Sequence, residues 1–198
     1  MINSQIAVFP GDTAFAQEFS MSTDKGDHLT LSKIATTVHL GAHTDAPNHY
    51  AKGAESIETR SLDYYLGPAQ VIEVETRPHK RIQIQDLKGQ VLQAERILFK
   101  TRSFPDPYHW NNDFMALSAE LIHYLHKNKV KLVGIDTPSI DLAQDRALES
   151  HMAVSQNNMA ILEGIVLNHV DEGVYELIAL PLKIQGADAT PVRAILRR

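Results

Sequence analysis

Four side chains that could together bind a metal ion lie in the segment 39–49: His39, His43, Asp45 and His49. Imidazole and carboxylate groups suit a borderline divalent cation such as zinc. A straight strand rises about 3.3 Å per residue, so His39 and His43 would stand roughly 13 Å apart, too far to share one ion. The chain must therefore bend between them, and Gly41 is the residue that permits the bend.

The same segment places His49 differently from the other three side chains. Pro47 biases Ala46 toward an extended backbone and prevents a continuous helix. His49 is therefore expected close to the metal without being an obvious ligand. The alternative is an ordinary surface position, which we favour for the histidines outside the motif: His28, His79, His109, His123, His126 and His169.

The composition of the chain excludes several kinds of site and partner. The chain has 198 residues, of which 43% are hydrophobic and 22% charged, so it can bury a core without disulfides. It has no cysteine, which excludes disulfides, thiolate metal sites and cysteine nucleophiles. A net charge of −5 without a basic run argues against nucleic acid as a partner, and no apolar run reaches the length of a membrane span. No signal peptide is evident, so a cytoplasmic location is expected.

Hydrophobic patterning predicts more strands than helices. Apolar or alternating runs favour strands over 29–39, 68–75, 96–101, 131–136, 159–167, 174–184 and 192–196. Ser118 is a good N-cap for a helix with one apolar face, and 146–156 could form a second, short helix. The pattern predicts an α/β or α+β protein with a mixed sheet, and the length favours one domain over residues 1–198.

The histidine-rich segment resembles a known family signature. Residues 39–49 are similar to the H-x-G-T-H-x-D-x-P-x-H motif of the cyclase family, whose best-known members are bacterial kynurenine formamidases (arylformamidases). Ala42 stands where the family usually has threonine. Further family blocks are matched in order along nearly the whole chain, at 9–13, 134–139, 151, 161–164, 175–182 and 191–194. The resemblance implies a strand-rich α+β fold of the swivelling β/β/α type.

The resemblance implies a site for two metal ions. His39, His43 and Asp45 would hold one ion, and Asp45, His151 and Glu163 the second, with Asp45 bridging. Zinc is the expected ion, two per subunit, with manganese as the alternative. Glu163 lies in an otherwise apolar run, where coordination would offset the cost of burying a carboxylate. The alternative for Glu163 is a position on the wet face of an edge strand.

The resemblance also implies an activity, the metal-dependent hydrolysis of N-formyl-L-kynurenine to L-kynurenine and formate in tryptophan degradation. His49 would be the general acid/base, because the expelled aromatic amine needs a proton as the C–N bond breaks. The partners implied are a small-molecule substrate and further copies of the chain, in a homodimer or higher homo-oligomer. Two alternatives stay open: hydrolysis of another amide such as isatin, and a non-catalytic metal-binding protein.

Two departures from the family concern the substrate and the N-terminus. Phe9 stands where the family usually has a tryptophan that packs on the substrate ring. Phenylalanine keeps a flat apolar face but lacks the indole N–H. Phe9 is therefore expected to line the substrate pocket, and the exact amide is left open. Family members also usually open with a strand reading D-[IL]-S, which this chain starts too late to contain, so that strand is expected to be missing.

Overall fold

A computed structural model describes all of residues 1–198. The protein is built around one six-stranded sheet. The twelve strands are β1 (Ala16–Met21), β2 (Leu31–Ala35), β3 (His43–Asp45), β4 (Leu66–Glu73), β5 (Arg81–Ile82), β6 (Arg96–Lys100), β7 (Ala116–Leu117), β8 (Leu132–Ile135), β9 (Ala160–Leu162), β10 (Gly173–Ile178), β11 (Ala189–Pro191) and β12 (Ile195–Arg197). The two helices are α1 (Ala119–Lys127) and α2 (Glu149–Gln156).

The central sheet is mixed, as the sequence predicts. Its strand order is β12-β10-β4-β6-β8-β9. Strands β4, β6, β8 and β9 are parallel, whereas β10 pairs antiparallel with both β4 and β12. Ile97 and Phe99 of β6 belong to one hydrophobic cluster and Leu98 to another. Because successive side chains point to opposite faces of a sheet, the two clusters cover both faces, as parallel strands require.

The helices cover one face of the sheet. Ser118 caps α1 as predicted, since its hydroxyl accepts a hydrogen bond from the Leu121 amide at 3.1 Å. Leu121 and Leu125 are fully buried in the same cluster as Ile97. The second predicted helix is present but begins at Glu149 rather than at residue 146. Neither helix is long and apolar enough to cross a membrane.

A short ladder outside the main sheet carries the histidine-rich segment. Strand β3 pairs antiparallel with β11, so that Asp45 lies opposite Ala189 and His43 opposite Pro191. On its other side, His43 exchanges two backbone hydrogen bonds with Glu163, at 3.0 and 2.9 Å. The segment is therefore held between the ends of β9 and β11, two elements that are remote in sequence.

Strands β1 and β2 form a separate hairpin whose residues are almost all exposed. Its base is closed by Thr37, whose amide donates to the Thr13 carbonyl at 3.0 Å. The Thr37 hydroxyl donates to the Asp12 carboxylate at 2.6 Å. Sequence patterning missed β1 because a strand with no buried face shows no hydrophobic alternation.

Several predicted strand limits are wrong. Three strands stop before the end of their apolar runs, at Ala35, Leu162 and Ile178. Gly164, with φ +63°, turns the chain just after β9. The last strand begins at Ile195 rather than at residue 192, because the Val192 amide donates to the Ala42 carbonyl at 2.8 Å instead of joining the sheet. Patterns of apolar residues do not show whether the residues pair in a strand. In the run after Ile178, Leu180, Leu182 and Ile184 are exposed in an irregular segment.

Candidate metal centre

The bend predicted at Gly41 is present. Gly41 has φ +57°, a left-handed conformation that glycine adopts without a steric penalty from Cβ. It turns the chain between the buried Leu40 and strand β3. The ring centroids of His39 and His43 consequently lie 5.1 Å apart, far closer than an extended strand would allow.

Asp45 is the centre of the cluster and is almost completely buried, with 1% exposure. Its Oδ1 lies 3.1 Å from His39 Nδ1 and 3.4 Å from His43 Nε2. Its other oxygen, Oδ2, lies 3.4 Å from His151 Nε2. One oxygen of Asp45 therefore faces two histidines of its own segment, and the other faces a histidine from α2.

Glu163 and His151 complete the buried part of the cluster. Glu163 Oε2 is 3.2 Å from His43 Nε2, and Oε1 is 3.6 Å from His151 Nε2. Oε1 also accepts a hydrogen bond from the Ile140 amide at 2.6 Å. Glu163 is 2% exposed, so the alternative of a glutamate on a wet strand face is wrong. The structure thus brings together all five side chains that the sequence proposed as ligands, and their coordination of an ion stays a prediction.

His49 lies on the open side of the cluster, at the end of a helical turn formed by Pro47–His49. Its side chain is 34% exposed. Its ring centroid is 4.2 Å from that of His39 and 6.0 Å from that of His151. A ring nitrogen of His49 lies within 4.8 Å of ligand-type atoms of Asp45 and His151. This position suits proton transfer, and by distance it also permits coordination.

Asp188 is a site residue that sequence reasoning missed. Its Oδ2 is 3.0 Å from His39 Nε2 and 3.4 Å from His49 Nδ1. The carboxylate is placed there by the ladder between β3 and β11, since the Ala46 amide donates to the Asp188 carbonyl at 2.8 Å. Asp188 stands just before a block that resembles the family, at 191–194, and nothing nearer in sequence connects it with the histidines.

Asp141 is the second residue that was missed. Its Oδ2 is 2.7 Å from His151 Nδ1, and its Oδ1 accepts hydrogen bonds from Arg81 and the Ser150 amide. A carboxylate on one ring nitrogen fixes the tautomer of a histidine, so that Nε2 of His151 is directed at Asp45 and Glu163. The available signal was its proximity to the 134–139 block.

The charges of the cluster compensate one another. Burial disfavours the charged imidazolium, but pairing with Asp45 and Asp188 outweighs it and raises the pKa of His39 to about 9. Burial is likewise outweighed at His151, whose contacts with Asp141 and Asp45 raise its pKa to about 10. Burial would raise the pKa of Asp45, yet the adjacent His151 and His39 hold it well below its usual value. The site therefore favours a carboxylate surrounded by positive charge.

This donor set fits a divalent metal ion. His43 Nε2 and Asp45 Oδ1 are buried, and neither makes a hydrogen bond, which is costly unless something else compensates. Atoms of His39, His43 and Asp45 lie within 4.8 Å of one another, so one ion could contact all three. Nitrogen and oxygen donors without sulfur suit zinc and manganese. The cluster could therefore bind a metal ion.

The cluster opens into a cavity of about 450 Å³ that is also lined by Phe9 and Trp110. Phe9 is 39% exposed and lies outside the hydrophobic core. That the cavity it lines is the substrate pocket, and that Phe9 contacts substrate, stay predictions. His109 does not line the cavity, and its side chain is 85% exposed beside Asp106. Of the other histidines expected at the surface, His123 is half-buried and the rest are exposed, namely His28, His79, His126 and His169.

The fold and the site define an α+β protein with a mixed sheet and a candidate metal centre. Comparison with known proteins gives its family. A family model described as "Putative cyclase" matches residues 2–142. The kynurenine formamidase of Bordetella avium (strain 197N) is 40% identical over 202 residues, which cover 99% of this chain and 94% of the relative. That of Bacillus cytotoxicus is 37% identical over 199 residues, with 99% and 93% covered. The chain belongs to the cyclase family.

Solved structures have the same fold. One described as a potential metal-dependent hydrolase with cyclase activity superposes with a TM-score of 0.84 at 27% identity, covering 99% of this chain and 93% of that one. An isatin hydrolase from Labrenzia aggregata gives a TM-score of 0.79 at 18% identity, with 99% and 90% covered. The second likeness is one of fold alone.

Proposed function

We propose that this protein is a metal-dependent amide hydrolase that converts N-formyl-L-kynurenine to L-kynurenine and formate. The observation that carries the proposal is the cavity, one continuous space lined by members of the cluster, by His49 and by aromatic side chains. Such a cavity can hold a formyl group at the cluster and an aryl group beside it. The full-length likeness to proteins named kynurenine formamidase supports this substrate.

We propose zinc as the ion, two per subunit, with Asp45 shared between them. The two oxygens of Asp45 face different histidines, which supports a bridging role. His39 and His43 would hold one ion, and His151 with Glu163 the other. When bound, the ions would polarise the formyl oxygen and lower the pKa of the attacking water. Manganese is compatible with the same donors.

His49 would move the proton. Its Nδ1 lies 3.4 Å from Asp188 Oδ2, so an Nδ1–H directed at that carboxylate would leave Nε2 free toward the cavity. From there His49 takes a proton from water as the carbonyl is attacked. It then delivers the proton to the nitrogen, because an anilide anion is a poor leaving group. Asp188 would orient both His49 and His39.

We further propose that residues 1–198 act as one hydrolase domain. The cluster draws side chains from the region of residue 39 to that of residue 188, so neither half of the chain contains a complete site. A small-molecule substrate suits a cavity of about 450 Å³. The homodimer or higher homo-oligomer and the cytoplasmic location expected from the sequence stay predictions.

The test is to strip the protein of metal, add back zinc or manganese, and follow N-formyl-L-kynurenine and isatin by absorbance. We expect metal-dependent hydrolysis of the formamide, with isatin turned over at least tenfold more slowly. Preferential hydrolysis of isatin would make the isatin alternative correct. Metal binding without hydrolysis of either compound would overturn the enzyme assignment and leave a metal-binding protein.

A further inference from the structure

His151 is held on its outer side, ring and backbone together, by the buried carboxylate of Asp141. Asp141 Oδ2 lies 2.7 Å from His151 Nδ1, and it also accepts a hydrogen bond from the His151 backbone N–H at 3.1 Å. Asp141 Oδ1 accepts a hydrogen bond from the Ser150 amide at 3.0 Å. A shift of this one carboxylate would therefore move the Nε2 atom of His151, which faces Asp45 and Glu163.

Helix α2, which carries His151 in its first turn, has no N-cap side chain of its own. Leu148 occupies the N-cap position with φ +52°, and its side chain has no group that could accept a hydrogen bond. The first N–H groups of a helix need partners from outside the helix, and here Asp141 supplies them. The negative charge also suits the positive end of the helix dipole. The placement of His151 thus depends on a residue from the preceding loop.

Arg81 holds the Asp141 carboxylate from a third part of the chain, strand β5. Its side chain is 15% exposed, and its Nη1 donates to Asp141 Oδ1 at 2.7 Å. The same nitrogen lies 2.7 Å from the Leu117 carbonyl oxygen and 2.8 Å from the Ser150 hydroxyl. Its Nη2 pairs with Asp145. A planar guanidinium with partners on both terminal nitrogens has a fixed orientation, and so does the carboxylate that it contacts.

The other two candidate histidine ligands are held without an arginine. His43 Nδ1 lies 2.9 Å from the Gly41 carbonyl oxygen. His39 Nε2 lies 3.0 Å from Asp188 Oδ2, but the Asp188 side chain is 46% exposed and its ion-pair partners are histidines alone. Arg81 can therefore act on His151 without acting on either of the other two.

We propose that Arg81 is a positioning residue that acts through Asp141 and sets how tightly His151 and Glu163 hold their metal ion. We call this place the His151–Glu163 position. The place formed by His39 and His43, with Asp45 shared, would not depend on Arg81.

The proposal rests on the two-ion centre of the proposed function and deepens it by making the two positions unequal in what supports them. Loss of Arg81 would leave Asp141 as a buried carboxylate without its cation, which is costly. The carboxylate would then be free to turn away from His151 Nδ1. Groups that orient a ligating histidine change metal affinity by about 10–100-fold. We expect the lower end of that range, because Arg81 acts through a second residue.

The test measures metal binding without any substrate. Metal-free protein is loaded with two equivalents of cadmium-113, and the two expected NMR signals are followed while a chelator of known affinity removes the ion. The signal lost in Glu163→Gln identifies the His151–Glu163 position. Arg81→Gln should weaken cadmium binding about tenfold at that position and leave the other unchanged. Arg81→Lys keeps the charge, so it should recover part of the loss.

Arg96 provides the matched control for a purely structural effect. It is a fully buried arginine that donates to the carbonyls of Tyr64 and Pro68 at 2.7 and 3.2 Å and contacts none of the candidate ligands. Arg96→Gln should lower the melting temperature but keep the ratio of the two cadmium affinities. A merely structural role for Arg81 would give the same result, whereas a positioning role changes the ratio.

A double variant tests whether the effect passes through Asp141. If Arg81 acts only by holding that carboxylate, Arg81→Gln should add little to the loss of cadmium affinity caused by Asp141→Asn. Additive losses in the double variant would overturn the route through Asp141.

The outcomes separate this proposal from the proposed activity. An unchanged affinity ratio in Arg81→Gln, or in Arg81→Lys where the first variant does not fold, would overturn the role of Arg81. A single cadmium signal in the wild-type protein would overturn it together with the two-ion centre. A changed ratio in a protein that hydrolyses no formamide would support the role of Arg81 and overturn the activity.

Discussion

His49 and His43 differ by only a few positions in sequence, yet the structure gives them different surroundings. His43 is buried between Asp45 and Glu163, whereas His49 faces the cavity. We expect His49→Ala to keep near-normal metal content and to lose turnover on the order of 10²–10⁴-fold, the usual contribution of a general acid/base. His43→Ala should lose metal and activity together. Metal analysis together with steady-state kinetics of both variants distinguishes a proton-transfer role from a ligand role. Loss of metal in His49→Ala would mean that His49 is a ligand.

The dependence of the rate on the leaving group shows at which step His49 acts. A phenyl ester leaves without needing much protonation, so its hydrolysis should suffer less from His49→Ala than hydrolysis of the formanilide. Rate constants for a matched ester and anilide in wild type and variant measure this difference. Equal losses on both substrates would mean that His49 acts before the bond breaks, as the base that deprotonates water.

Asp188 touches both His39 and His49, which makes it the most informative carboxylate outside the predicted ligand set. Asp188→Asn keeps the size of the side chain but removes its charge. We expect a loss of about 10–100-fold in metal affinity or turnover, typical for carboxylates that orient a ligating histidine. Asp24→Asn, at the exposed tip of the hairpin, is the control and should behave as wild type. Unchanged kinetics and metal affinity in Asp188→Asn would show that its contacts are incidental.

At the scale of single residues, the sequence itself predicted the site residues within the segment 39–49, and the family resemblance predicted His151 and Glu163. Imidazoles and a carboxylate around a bend-forming Gly41 indicated a metal site directly. Asp188 and Asp141 escaped because aspartate is ordinary in loops. Their importance comes only from which histidine nitrogen each one contacts, and a contact between residues as distant as His39 and Asp188 leaves no local pattern.

At the scale of elements, the site depends on two backbone segments that almost touch. A Cβ on Gly164 would lie 2.1 Å from the Gly41 carbonyl oxygen, and Gly164 has φ +63°. Gly164→Ala should therefore force apart the segments that carry His43 and Glu163. We expect clear destabilisation and weaker metal binding, measured by thermal melting and zinc titration. Each should exceed the loss in Gly53→Ala, where φ is +75° but no atom lies within 4 Å.

The comparison with Gly53 isolates the steric part of the effect. Both glycines have a positive φ, so alanine at either position carries a backbone penalty of about 1 kcal/mol or more. Only Gly164 adds a collision with backbone, which cannot rotate away as a side chain can. If Gly164→Ala melts and binds zinc like Gly53→Ala, the close approach is not needed to align the ligands.

Helices and strands could be predicted from the sequence where they are buried, because burial gives them a run or a repeat of hydrophobic residues. Elements without such a pattern could not be predicted. The buried strand β6 and the capped helix α1 follow from apolar runs and from Ser118. The hairpin strand β1 has no buried face, and the short ladder of β3 with β11 has only three residues on each side. Strands β3 and β11 are stabilised by partners far away in sequence, so their own residues give no local pattern that predicts them.

At the scale of the whole molecule, the buried cluster should make stability depend on metal. An ion that binds only the folded chain stabilises it by mass action. Removal of metal with a chelator should lower the melting temperature, and zinc should restore it. A melting temperature that is insensitive to chelator and zinc in protein shown to bind the metal would contradict a site built by the folded chain.

The same cluster gives the metal-free protein a defined pH dependence. The pKa values of His39 and His151 are raised from the usual 6.5 to about 9 and about 10. Their contribution to stability is therefore complete below pH 6.5 and is lost as pH rises through 9 to 10. Zinc must displace these protons, so its affinity rises with pH over the same range. The gap in melting temperature between zinc-loaded and metal-free protein should widen between pH 6.5 and 8.5, and a constant gap would contradict this linkage.

The topology explains why the complete site could not be predicted from the residues alone. The cluster joins β3, the start of α2, the end of β9 and the segment before β11. Apolar periodicity predicts that these elements exist but not which ends meet. The family resemblance supplied His151 and Glu163, and without it the sequence would have yielded only the part of the site within 39–49.

The closed base of the β1–β2 hairpin has a consequence for how this chain can vary. Phe9 and His39 lie on either side of the hairpin in sequence, but the Asp12–Thr37 and Thr13–Thr37 hydrogen bonds join the two sides before the strands leave the body. We therefore expect changes in the hairpin beyond that junction to leave the site undisturbed. Gly26, at the tip with no neighbour within 4 Å of its Cβ position, is thus a natural point at which to graft a reporter domain without displacing the chemistry.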